Sequence, residues 1–184
     1  MAGNFGWSPG YGSSSRRRVH VLRGFNGCDP QTFTKSREVA SGEQIFSGQI
    51  MSLNTSGKWV KGQSSAGKTC YIALSNFDDT DVRASNKLPG LSCSGEFEIE
   101  TPWYVSSGST YQEDLTRLIA AGAGDEGNVV DDGGTGDVDT IIGKVTKAPY
   151  KLNDVNLSTG TAEYPFSSNE LGNSEVIAFI TVQD

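Results

Sequence analysis

Histidine is almost absent from this chain: His20 is the only one in 184 residues. Multi-histidine metal sites need several imidazoles, and a catalytic triad needs one beside a nucleophile. His20 stands in a basic stretch away from any G-x-S-x-G elbow, so both chemistries lack their parts. Cysteine is scarce too. Cys28, Cys70 and Cys93 are odd in number and widely spaced, which fits neither a disulfide framework nor a zinc motif and reads as reduced thiols made in a cytoplasm. Long apolar runs are missing: none approaches the ~18 residues of a membrane span. The opening stretch MAGNFGWSPGYGSSSRRR lacks the apolar centre of a signal peptide. On that reading the N-x-S sequons at Asn54 and Asn156 carry no glycan.

What is abundant is glycine, 23 residues, with Ser, Thr, Asn and Asp between short apolar runs, while hydrophobic residues make up only 35%. That texture predicts an all-β fold of short strands and tight turns. A compact chain of this length buries about 70% of its unfolded surface and needs no metal or disulfide to hold a core. Charge is lopsided. Residues 1–37 hold Arg16, Arg17, Arg18, Arg23, Lys35 and Arg37 against Asp29 alone, so a net of +5 precedes a body of −12. Residues 1–37 are therefore expected to form an extended basic arm, within which RRRVHVLRGF (16–25) reads as an edge strand or an extended segment, and 38–184 the β-rich domain.

Within that domain, Ile45–Leu53 reads as a strand broken at Gly48, and 58–61 as its hairpin mate across Ser56-Gly57. The segment 69–77 reads as a central strand. Over 95–101, Phe97 and Ile99 alternate with Glu96, Glu98 and Glu100, a half-buried strand with a solvated acidic face that Pro102 ends. Residues 112–121 are the expected short helix, with Leu115, Leu118 and Ile119 at helical spacing and Gly122 as the stop. A Gly/Asp loop follows, then strands at 139–146 and 175–182, the latter too apolar to be an edge. Residues 148–174 read as an irregular insertion.

Several motifs invite a chemical reading. Gly62-Gln-Ser-Ser-Ala-Gly67-Lys68-Thr69 fits the P-loop letter for letter, but phosphate cradling requires a helix next, and CYIAL is strand-like. Asp131-Asp132-Gly-Gly-Thr-Gly-Asp137-Val-Asp139 has the residues of a hard-cation loop without the spacing of an EF-hand or calcium nonapeptide. Asp78-Asp79-Thr80-Asp81 and Glu96/Glu98/Glu100 supply carboxylates in pairs, as glycosidases do. Turn solvation and a wet strand face explain them more simply. The expectation is no enzyme, no cofactor and no metal. Nucleic acid is not expected as a partner either, because the −12 body repels phosphate wherever the arm does not reach.

The order of segments resembles the tailed-phage capsid decoration, or cement, proteins. The likeness runs over residues 38–149 and rests on SGEQIFSGQIMSLNTSGKWVKG (41–62), YIALSN (71–76), LPGLSCSGEFEIET (88–101) and IIGKVTKAP (141–149). It implies a small β-barrel or β-tulip-like domain that forms homo-oligomers, often trimers, on the capsid exterior and binds the major capsid protein at subunit junctions. The arm would supply Trp7, Tyr11 and Phe25 as aromatic anchors, with Arg16, Arg17, Arg18 and Arg23 orienting it on an acidic shell. The competing expectation is a carbohydrate- or receptor-binding β-domain of a phage tail or spike, stacking on Trp59, Trp103 and Tyr104.

Overall fold

The computed structural model describes residues 20–64, 69–77, 86–133, 141–150 and 175–182. Eleven strands and one helical turn follow in the order β1 (His20–Gly24), α1 (Pro30–Phe33), β2 (Thr34–Glu38), β3 (Ile50–Leu53), β4 (Trp59–Lys61), β5 (Tyr71–Ala73), β6 (Lys87–Ser92), β7 (Phe97–Thr101), β8 (Arg117–Ala120), β9 (Val129–Asp131), β10 (Ile141–Tyr150) and β11 (Val176–Thr181). They form two antiparallel sheets, ordered β1-β7-β11-β10-β8-β9 and β2-β6-β5-β3-β4. The all-β expectation holds. The barrel does not: neither sheet closes among the described residues.

The five-stranded sheet comes nearest to closing. Ala40 donates its N–H to the Trp59 carbonyl at 2.9 Å, Val39 and Trp59 share an isolated parallel bridge, and Lys58 pairs with Glu38 at 3.0 Å. The chain leaving β2 thus touches β4 at a seam, and the sheet rolls around Trp59. Strand pleating then sends alternate residues to two cores. Ile50, Ile72 and Leu91 point toward the six-stranded sheet, meeting Phe97, Ile99, Leu118, Ile142, Val145, Ile177 and Phe179. Met51, Tyr71, Ala73 and Leu88 point into the roll, with Val39, Ile45, Trp59 and Phe77. Trp59 is wholly buried, and its indole N–H donates to the Leu88 carbonyl at 2.8 Å.

β7 behaves as its pattern predicts, with Phe97, Ile99 and Thr101 buried, and the chain leaves the sheet at Pro102. β5 lies between β6 and β3, and β11 between β7 and β10, as their apolar content requires. Gly48 has φ +92°, and its carbonyl accepts from the Thr101 hydroxyl at 2.9 Å; a Cβ there would lie 2.7 Å from that same Oγ1. The break before β3 is therefore a packing requirement as well as a turn.

Three expectations are corrected. The helix at 112–121 does not form: Asp114 has φ +59°, Leu115 is 72% exposed, and Arg117–Ala120 is a strand between β10 and β9. Ladder bonds on both sides satisfy more backbone than one amphipathic turn could. The described half of the expected arm is built into the body, since β1 pairs with β7 and β2 with β6. The helix that does form lies between them: Asp29 caps it by accepting from the Gln31 N–H, and Pro30 opens its first turn. The irregular insertion begins later than expected, because β10 runs to Tyr150; residues 151–174 lie outside the described residues.

Candidate partner-binding surface

Of the expected contact residues, Trp7, Tyr11, Arg16, Arg17 and Arg18 lie outside the described residues. Arg23 and Phe25 are described, and they are turned to their own sheet. The Arg23 guanidinium stacks 4.6 Å over the Phe25 ring, and its Nε donates to Glu98 Oε2 at 2.7 Å. The Phe25 N–H donates to the Glu96 carbonyl at 2.9 Å. Arg23 still keeps 63% of its side chain exposed, against 14% for Glu98.

The glutamates of β7 are not a freely solvated row, as the sequence suggests. Glu98 Oε1 accepts from the Thr146 hydroxyl at 3.0 Å, the Tyr150 hydroxyl donates to Glu100, and the Asn26 amide donates to Glu96. Thr146 and Tyr150 reach β7 across β11, where small Ala178 stands in register between Glu100 and Lys147. The Lys147 ammonium lies 3.7 Å from the Tyr150 ring centre. Burial, then the hydrogen bond to Glu100 and its charge, hold the Tyr150 phenol well above its ordinary pKa. The outer face of the six-stranded sheet is thus a cross-linked polar surface flanked by Arg23 and Lys147. Sequence reasoning missed Thr146 and Tyr150, because their link to β7 runs through a third strand.

The remaining motifs are accounted for locally. Asp131 accepts from the Thr110 and Gly133 N–H groups at 2.8 Å each, and Asp132 pairs with Arg117 at 2.8 Å. Residues 134–140, with the rest of the Gly/Asp loop, lie outside the described residues, as do Asp78, Asp79 and Asp81. No group of three or more His, Cys, Asp or Glu among the described residues could hold a metal ion. In the P-loop look-alike, Ser65–Lys68 are not described; strand β5 follows Cys70, where phosphate binding requires a helix.

Trp59, Trp103 and Tyr104, the expected stacking rings, are core residues at 0%, 8% and 5% exposure. Trp103 donates to the Ser47 carbonyl at 3.0 Å and stacks on Phe46, while Tyr104 meets Tyr111 edge-on. Those rings offer no platform to a sugar. Cys70 and Cys93 are buried, and burial with the neighbouring Cys70 pushes the Cys93 pKa well up. No known family, curated protein or solved structure matches this chain.

Proposed function

We propose that the chain is a structural virion protein that binds the outer surface of a phage capsid at subunit junctions and stabilises the shell. It acts without catalysis, as a homo-oligomer with the trimer favoured. The observation that carries this reading is the placement of charge: Arg16–Arg18 directly precede β1, a strand at the margin of a sheet in a body of opposite sign. The body's exposed polar face is braced internally by the Arg23–Glu98 and Tyr150–Glu100 pairs, the build of a rigid adaptor. The segment order over 38–149 supplies the capsid in this reading. With Trp59, Trp103 and Tyr104 in the core, no observation favours the carbohydrate-binding alternative.

Each contact is modest, since exposed ion pairs contribute ~0–1 kcal/mol. Repetition over a symmetric shell, and oligomers that engage several sites at once, convert modest contacts into firm attachment. Binding only the assembled state must raise its stability by mass action. The test is the temperature at which expanded capsids rupture, with and without saturating protein. The wild type should raise it, and deletion of residues 1–19 should lower occupancy most at low salt while leaving the body folded. Identical rupture with and without protein ends the capsid reading.

A further inference from the structure

Four strands end the two sheets: β1 and β9 in one, β2 and β4 in the other. Two of these margins are covered within the chain. Val129 donates to the Trp103 carbonyl at 3.0 Å and Val105 to the Val129 carbonyl at 2.9 Å, covering β9; the Ala40–Trp59 bond covers β4. Among the described residues, β1 carries no further strand and β2 none over Thr34–Arg37, while the Val39–Trp59 bridge brings β4 against its last residue, Glu38. β1 is blunted by a bulge between Val21 and Arg23, a common guard against edge pairing. β2 has five consecutive register pairs with β6 and no break, and Lys35–Glu38 are all exposed.

Which groups β2 turns outward follows from β6. Leu74 donates to the Pro89 carbonyl at 3.0 Å, so Pro89 directs its carbonyl to the β5 side. Its partner Ser36 then belongs to a non-hydrogen-bonded pair and points its own N–H and C=O away from the sheet, as does Glu38 by alternation. In keeping with this, Val39 bonds inward to the Asn86 carbonyl, and the Arg37 guanidinium caps the Ser36 carbonyl at 3.2 Å.

Parity then selects the partner. In any antiparallel pairing onto this edge, outward-bonding residues face outward-bonding residues, so Lys35 and Arg37 face the partner's alternate set. For a second copy of β2 that set is again Lys35 and Arg37, in every register, and like charges directly opposite repel. Glu38, on the other face, is already paired with Lys58 at 3.0 Å. Lys35 is held by a 3.3 Å bond to the Tyr71 hydroxyl, which lowers the entropy cost of using it.

We propose that the β2 edge is a docking site for an extended peptide segment carrying carboxylates at alternate positions. The segment adds as a strand to the five-stranded sheet over Thr34–Arg37, bonding to Ser36 and to the Glu38 N–H, since the Glu38 carbonyl faces β4, and setting its acids opposite Lys35 and Arg37. This rests on reading the chain as a binder of protein surfaces, and it names the chemistry of what is bound.

The test uses the full chain and a capped peptide of about eight residues alternating Asp or Glu with Val or Thr. Binding is read by fluorescence anisotropy, and its place by amide hydrogen exchange. The peptide should bind and protect the Ser36 and Glu38 amides. Lys35→Glu with Arg37→Glu should weaken it about tenfold and admit the matching lysine peptide. Ser36→Pro, which removes an outward N–H and no β6 bond, should abolish binding without changing the melting temperature. No binding, protection elsewhere, or equal binding of a proline-interrupted acidic peptide or a short single-stranded DNA overturns the proposal. Particles still stabilised by Ser36→Pro protein would leave the capsid reading standing while this inference falls. Peptide binding without particle stabilisation would remove the capsid reading alone.

Discussion

The six-stranded sheet has one apolar face and the five-stranded sheet has two. The first buries Phe97, Ile99, Ile177 and Phe179 on its inner side and ties Glu98, Glu100, Thr146 and Tyr150 together on its outer side. The second rolls up, so both its faces are core, and Trp59 fills the inside of the roll. A sheet with a polar outer face can meet a partner broadside. A sheet with two buried faces can meet one only along an edge, as proposed for β2. The comparison also explains how chain segments so poor in leucine hold together: β3, β5 and β6 serve both cores with alternate residues.

Trp59→Ala should have the largest effect, a loss of about 3–5 kcal/mol in urea unfolding. Because β3, β5 and β6 belong to both cores, fluorescence and far-UV circular dichroism should still report one coincident transition. Two separated transitions would break the comparison by showing that the roll unfolds alone. Next come two glycines, one in each sheet. Gly143→Ala sets a Cβ 2.6 Å from the Ile180 carbonyl oxygen, whereas Gly90→Ala meets the mobile end of Met51 at 2.2 Å and Trp59 at 3.2 Å. Gly143→Ala should cost about 1–3 kcal/mol and Gly90→Ala less, since a methionine terminus yields and a backbone carbonyl does not.

Alkaline titration sharpens the contrast further. Burial pushes Tyr111, between the sheets, from the ordinary 10 up to about 12, and Tyr150 on the outer face is raised as well. A raised phenol pKa means the folded state favours the neutral form. The stability it contributes is complete below pH 10 and lost as the pH rises through about 12. Denaturant midpoints measured across that window should fall for the wild type and fall less steeply for Tyr111→Phe with Tyr150→Phe. The smallest effect belongs to Arg23→Ala. Its ion pair with Glu98 is mostly solvent-exposed on the arginine side, so the loss should be below about 1 kcal/mol and shrink with added salt.

Much of the fold was legible because two-residue periodicity is a local signal. Phe97/Ile99 against the glutamates gave β7 its face, and the unbroken apolar run of β11 placed it in the middle of its sheet. The helix at 112–121 was misleading for an instructive reason: Leu115, Leu118 and Ile119 match a helical stripe, yet Leu115 turns to solvent and Leu118 enters the core from a strand. β2 was missed because both of its faces are polar, leaving no alternation to read. Of the candidate contact residues, Arg23 and Phe25 were chosen for charge and aromaticity alone. Their attachment to Glu98 and to the Glu96 backbone was invisible, since it joins segments some seventy residues apart.

By itself the sequence determined the all-β class, the inward and outward sides of β7, and the contrast in charge between residues 1–37 and the rest of the chain. These follow from composition, alternation and charge, which act over a few residues. Tertiary structure alone decided that the described strands form two sheets, that one rolls onto Trp59, that Trp59 and Trp103 are core, and that β2 lies at a sheet margin. Each of those depends on which strand lies beside which. Pairing is fixed by the joint burial of distant residues such as Met51, Tyr71 and Leu88, information that no single segment carries.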